Sequence, residues 1–166
     1  MTTLNDILQH AYDTKEEGTG RQGKNNCSGF VRMVAARLQI KLEGQQADDQ
    51  LEYMQRHWIR LKDGTHALQM ASQRFFVVGG LKSTEYDPPR SNGHVAVVQP
   101  LTSTQLPVGP EDMYRGKYPY VWGGDIGGEY MTRGDRSMGE IINRKVRDNV
   151  RYYMPPVFGP HTPEFR

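Results

Sequence analysis

The chain is short of three things, and each shortage excludes something. It has a single cysteine, Cys27, in 166 residues. No disulfide can close within the chain and no multi-thiolate zinc site can be assembled. It has little surplus charge, because 21 basic residues face 19 acidic ones and leave +2. That is too small an excess to argue for nucleic acid, and only a mild help towards an anionic ligand. It has no apolar run near the roughly 20 residues that span a bilayer. The start, MTTLNDILQHAYD, lacks a basic stretch followed by an apolar one, so no secretory signal is expected. The expectation is a protein made in a cytoplasm that does not leave by the general signal-peptide route.

What is present has globular composition: 36% hydrophobic, 24% charged, with 18 glycines suited to turns and close backbone approach. The length suits one domain over residues 1–166, with no internal repeat and no linker. The final twelve residues, PPVFGPHTPEFR, hold four prolines and should be irregular. No motif calls for a cofactor or a metal.

Helical periodicity dominates the first half. Leu4, Ile7, Leu8 and Ala11 are spaced for one helix face, with Thr3 and Asp6 placed as a capping pair. Phe30, Val31, Val34, Ala35 and Leu38 form a second apolar stripe. Leu51, Met54, Trp58 and Leu61 form a third, with Gly64 as its stop. THALQMASQ is a further short helix. The second half reads as strands: FFVVGGL, HVAVVQP, YPYVWGGDI, EIINRK and NVRYYM. Helices first and strands after predict an α+β fold, helices on one side of an antiparallel sheet.

The lone thiol sits in KNNCSGFVRMVAARL, where a polar Gly-rich loop gives way to the second helix. A lone cysteine is more often an inert small hydrophobe, but an inert one belongs in the apolar stripe. At a helix start, unpaired N–H groups and the helix dipole favour the thiolate. Ser28 and Gly29 leave room for a substrate, and Phe30 and Val31 anchor the helix. A nucleophile needs a base. His10 and His57 fall on amphipathic helices, His66 at a loop or helix start and His161 in the proline-rich tail. His94 opens HVAVV directly after SNG, and would stand at a sheet edge beside a turn.

NCSGFV together with GHVAVV resembles the NlpC-type, papain-like cysteine peptidases of bacterial cell walls. NNCSGFVRMVAARL, FFVVGGLK, GHVAVV, KYPYVWGG and NRKVRDNVRYY follow in the order of the type VI secretion amidase effectors, first family. The resemblance implies a papain-like fold with the nucleophile at a helix N-terminus and the histidine at a strand start. It implies cleavage of peptidoglycan stems between γ-D-glutamate and meso-diaminopimelate. It also implies delivery by a type VI secretion apparatus into the periplasm of a Gram-negative target, and a cognate immunity protein that plugs the site.

Cys27 then matches the family nucleophile and His94 the base, working as a thiolate–imidazolium pair at neutral pH. The Cys27 backbone N–H is the natural first oxyanion donor, with the Asn26 side chain or a neighbouring N–H as the second. The residue that orients the histidine is sought near Trp122. Gly123 and Gly124 have no side chain to offer; Asp125 could substitute, and so could a backbone carbonyl. TEYDPPRSNG and LTSTQLPVGPEDMYRG are longer than the family leads one to expect, and both would flank the site. Lys24, Arg90, Arg115 and Lys117 lie near enough in sequence to meet stem carboxylates, although such charges are more often solvated.

Other motifs are set aside. GGDIGG at 123 to 128 lacks the Lys-Ser/Thr of a phosphate loop, and its glycines are better read as close backbone contacts near the groove. RGD at 133 to 135 is short enough to arise by chance. The alternating VRDNVRYYM reads as an edge strand. Two rival functions remain: the same Cys-His chemistry on another amide, as a deamidase or acyltransferase, and a non-catalytic cell-wall binding module.

Overall fold

The computed structural model describes residues 1–101 and 117–166. Among these the helices are α1 (Leu4–Asp13), α2 (Cys27–Arg37), α3 (Ala47–His57), α4 (Gly64–Ser72) and a single turn, α5 (Met138–Ile141). The strands are β1 (Ile59–Arg60), β2 (Val78–Leu81), β3 (His94–Val98), β4 (Tyr120–Gly123), β5 (Thr132–Ser137) and β6 (Arg151–Met154). They form one sheet in the order β1-β6-β2-β3-β4-β5, each neighbouring pair antiparallel. The α+β prediction is borne out.

Alternation along β3 shows how the core is divided. Val95 and Val97 join the core of α1, α2 and α3 on one face. Ala96 and Val98 join Ala67 and Ala71 of α4, and Met138 and Ile141 of α5, on the other. Helices therefore cover both faces, not one. This explains why HVAVV is apolar throughout, since a strand buried on both sides needs no polar alternation.

Several boundaries differ from the sequence reading. The third helix stops at His57 because Trp58 is extended, and Ile59 pairs with Met154 instead. Gly64 does not end a helix but begins α4, capped by the Asp63 carboxylate accepting from the His66 N–H. A side chain at Gly64 would collide with the Lys117 carbonyl. EIINRK is not a strand, because a Ser137–Glu140 capping box turns the chain into α5. β5, TRGDRS, lacks the β-branched alternation that marks a strand, and its pairing with β4 makes it one. β6 is no edge strand: it is paired by β1 on one side and β2 on the other.

Residues 155–166 form no helix or strand, as expected. They are nevertheless tied down. The N–H groups of Leu4 and Asn5, unpaired at the start of α1, donate to the carbonyls of Glu164 and Phe165 at 2.8 and 3.0 Å.

Candidate active site

The thiol is the first residue of α2. A short 3-10 turn, Gly23–Asn25, leads to an extended Asn26. The Phe30 N–H then donates to the Asn26 carbonyl at 2.9 Å, closing the first helical turn. The N–H groups of Cys27, Ser28 and Gly29 lead that turn with no intrahelical acceptor. Phe30, Val31 and Val34 are fully buried, so the thiol stands on a fixed element. α2 lies on β3, and the thiol, half-buried, interacts with the Val95 N–H as well as those of Ser28 and Cys27. Val95 follows His94, so the sulfur reaches the start of β3.

His94 does open a strand, but the strand is an inner one. β3 is bonded by β2 and β4, and His94 is only 5% exposed rather than at a sheet edge. Its ring meets Tyr130 edge to face, centroids 6.5 Å apart. Its Nε2 is buried and has no hydrogen-bond partner among the described residues.

Burial is the largest influence on the proton affinity of each group. Loss of water pushes the Cys27 thiol up to about 11, despite the Val95 N–H pulling it down. Loss of water likewise pushes the His94 imidazole down to about 4, opposed by the Asp125 charge and reinforced by Arg90. The helix-start N–H groups act in the direction that the sequence suggested, but desolvation outweighs them. For each group taken alone, burial favours the neutral form.

Asp125 is brought to the same place. Its N–H donates to the Lys24 carbonyl at 3.0 Å. Its carboxylate accepts from the Tyr130 N–H at 3.1 Å and acts electrostatically on both Cys27 and His94. Asn26 is buried; its Oδ1 accepts from the Ser28 hydroxyl at 3.0 Å, and its Nδ2 lies against Gly29. The glycines near the groove do allow close backbone contact, since a Cβ on Gly124 would fall 2.9 Å from the Asn26 nitrogen.

Two hollows of about 230 Å³ each meet here. One holds Cys27 with Asn26, Ser28, Gln46, Asp48 and Asp49. The other holds His94 with Tyr86, Arg90, Asp125, Glu129 and Tyr130. Ser91, Asn92, Gly93 and Ile126 line both. Asp48 steadies this wall by accepting from the Ser83 N–H at 2.8 Å and from the Ser83 hydroxyl.

The other candidates disperse. His10 and His57 are exposed. His66 accepts from the Lys62 N–H and His161 from the Phe76 N–H, both structural duties. Lys117 pairs with Asp148 at 3.6 Å in a separate cavity, and Arg115 lies outside the described residues. Of the three described cations, Lys24, Arg90 and Lys117, Arg90 alone lines the His94 hollow. Tyr86 and Tyr130 were missed. The signal for Tyr86 was its place, with Arg90, in the stretch immediately before His94.

A thiol at a helix start, laid against a strand that opens with a histidine, is the arrangement of the papain-like class of thiol hydrolases. The chain is 38% identical, over 136 residues covering 81% of its length and 78% of the relative's, to the peptidoglycan amidase Tse1 of Pseudomonas aeruginosa. It belongs to the family of that amidase, the family to which its motifs pointed. No protein-family profile matches the chain.

Proposed function

We propose that this protein is a peptidoglycan amidase that hydrolyses the γ-D-glutamyl–meso-diaminopimelate bond of cell-wall peptide stems, with residues 1–166 acting as one catalytic domain. In this reading it is an antibacterial effector, delivered by type VI secretion into the periplasm of a Gram-negative target and neutralised in its producer by an immunity protein seated over the site. What supports the reading is the Cys27 thiol laid against the Val95 N–H, one residue after His94, in a chain related to an amidase over four-fifths of its length.

The buried site suggests how the reaction runs. Cys27 starts as a thiol and His94 as a neutral imidazole. One proton moves from Sγ to the ring, which separates charge without changing the net charge of the site. The sulfur attacks the γ-glutamyl carbonyl and forms a C–S bond. The oxyanion takes hydrogen bonds from the Cys27 N–H and from Asn26 or a neighbouring N–H; losing one such donor typically costs about 3 kcal/mol of barrier. The imidazolium then gives its proton to the departing amine of diaminopimelate as the C–N bond breaks. Water, deprotonated by the same ring, releases the acyl-enzyme. Asp125 is the candidate for holding the ring in its working orientation.

Mass spectrometry of purified sacculi digested with the protein tests this. The expected products are stems ending in D-glutamate and fragments with a newly free diaminopimelate α-amine. Cys27→Ala should yield neither product, nor lyse cells when placed in the periplasm. Intact sacculi with the folded wild type would defeat the amidase reading and favour another amide. Equal toxicity from Cys27→Ala would favour a binding module.

A further inference from the structure

Arg90 is held in an unusual way for a surface cation. Its N–H donates to the Ser83 carbonyl at 2.9 Å, which pins the loop that carries it. Its guanidinium carbon lies 5.0 Å from the ring centroid of Tyr86 and 5.5 Å from that of Tyr130. Tyr86 is buried, and Tyr130 in turn meets the His94 ring. Arg32, Arg56, Lys82, Lys117 and Arg151 each form an ion pair with a carboxylate. Arg90 forms none with a carboxylate among the described residues. Two aromatic rings flank its guanidinium, the Tyr86 hydroxyl also accepts a side-chain hydrogen bond from it, and the rest of its fork of N–H donors is suited to a carboxylate.

Its position says which part of a substrate it would meet. In amide cleavage the imidazole must reach the departing nitrogen, while the sulfur becomes bonded to the acyl carbon. The hollow of His94 therefore takes the departing residue, and the hollow of Cys27 takes the acyl side. Arg90 lines the first and not the second.

We propose that Arg90, braced between Tyr86 and Tyr130, binds the free side-chain carboxylate of the departing diaminopimelate and so selects stems that carry it. Lysine at that stem position has the same chain and amine but no such carboxylate, and is the natural discriminating comparison. The inference rests on the amidase reading above and adds the residue that sets its preference on the departing side.

The test uses synthetic stems, L-Ala-γ-D-Glu-X-D-Ala, with X either meso-diaminopimelate or L-lysine. Steady-state kinetics are measured for wild type, Arg90→Lys and Arg90→Met, and thermal melts confirm that all three are folded. A charge-assisted hydrogen-bonded pair supports a wild-type preference of about 10- to 100-fold for the diaminopimelate stem. Arg90→Met should raise KM for that stem far more than it lowers kcat, and bring the preference close to one. Arg90→Lys should recover part of it. A preference unchanged by Arg90→Met, or no preference in a wild type that cuts both stems, would overturn this inference and leave the amidase reading standing. A wild type that cuts neither stem would overturn both.

Discussion

Gly124 lies directly against Gly23: a Cβ built on Gly124 would stand 1.8 Å from the Gly23 carbonyl oxygen. The contact joins the end of β4 to the turn that delivers Cys27. Both partners are backbone, so a side chain cannot be accommodated by a rotamer change. Gly124→Ala should cost about 1–3 kcal/mol of stability, the usual range for overpacking, and should lower kcat/KM by displacing the Cys27 turn. Gly18→Ala, where nothing lies within 4 Å of the added carbon, should change stability by less than about 0.5 kcal/mol. Urea denaturation and stem cleavage measure both effects.

Partial loss of water at Cys27 and full burial of His94 should make stability fall at both ends of the pH scale. His94 is pushed down from 6.5 to about 4 in the folded chain. Its contribution is present above 6.5 and is lost as pH falls towards 4, because the unfolded chain takes up a proton that the folded one refuses. Cys27 is pushed up from 9.0 to about 11, so its contribution is present below 9.0 and is lost as pH rises towards 11. Each slope approaches about 1.4 kcal/mol per pH unit within its window. Denaturation curves should show the acid slope reduced in His94→Gln and the alkaline slope reduced in Cys27→Ala.

Removing the His94 ring isolates the thiol. In His94→Ala, thiolate absorbance at 240 nm should appear only as pH approaches about 11, the value that burial imposes. Thiolate absorbance at neutral pH in that variant would show that the helix-start N–H groups, not desolvation, govern the sulfur.

Asp125 raises the basicity of His94 through its charge. Asp125→Asn keeps an oxygen for the Tyr130 N–H but removes that charge. The acid limb of the kcat/KM profile should therefore move to lower pH, since His94 stays unprotonated further into acid. A fall in kcat without movement of the limb would assign Asp125 a purely structural part.

The thiol and the histidine were legible because local sequence marks their positions. Cys27 stands just ahead of an apolar helical stripe, and His94 just ahead of a run of β-branched residues. The Thr3–Asp6 cap of α1 was legible for the same reason. What local pattern did not disclose depends on distant partners. Ile59 is a strand residue because Met154 lies beside it, and TRGDRS is a strand because β4 pairs with it. The effect of burial on Cys27 was hidden too, since the helix start is visible in the sequence and the packing that removes water from the sulfur is not. Arg90 looked like any surface charge until folding set it between two rings far apart in sequence.

β3 is hydrogen-bonded along both sides, and α2 lies across it. Neither Cys27 nor His94 hangs from an isolated segment. Heating should consequently leave the chemistry intact until the sheet gives way, and then extinguish it in one step. Residual turnover and near-ultraviolet dichroism, followed together up a temperature ramp, should decline along a single curve.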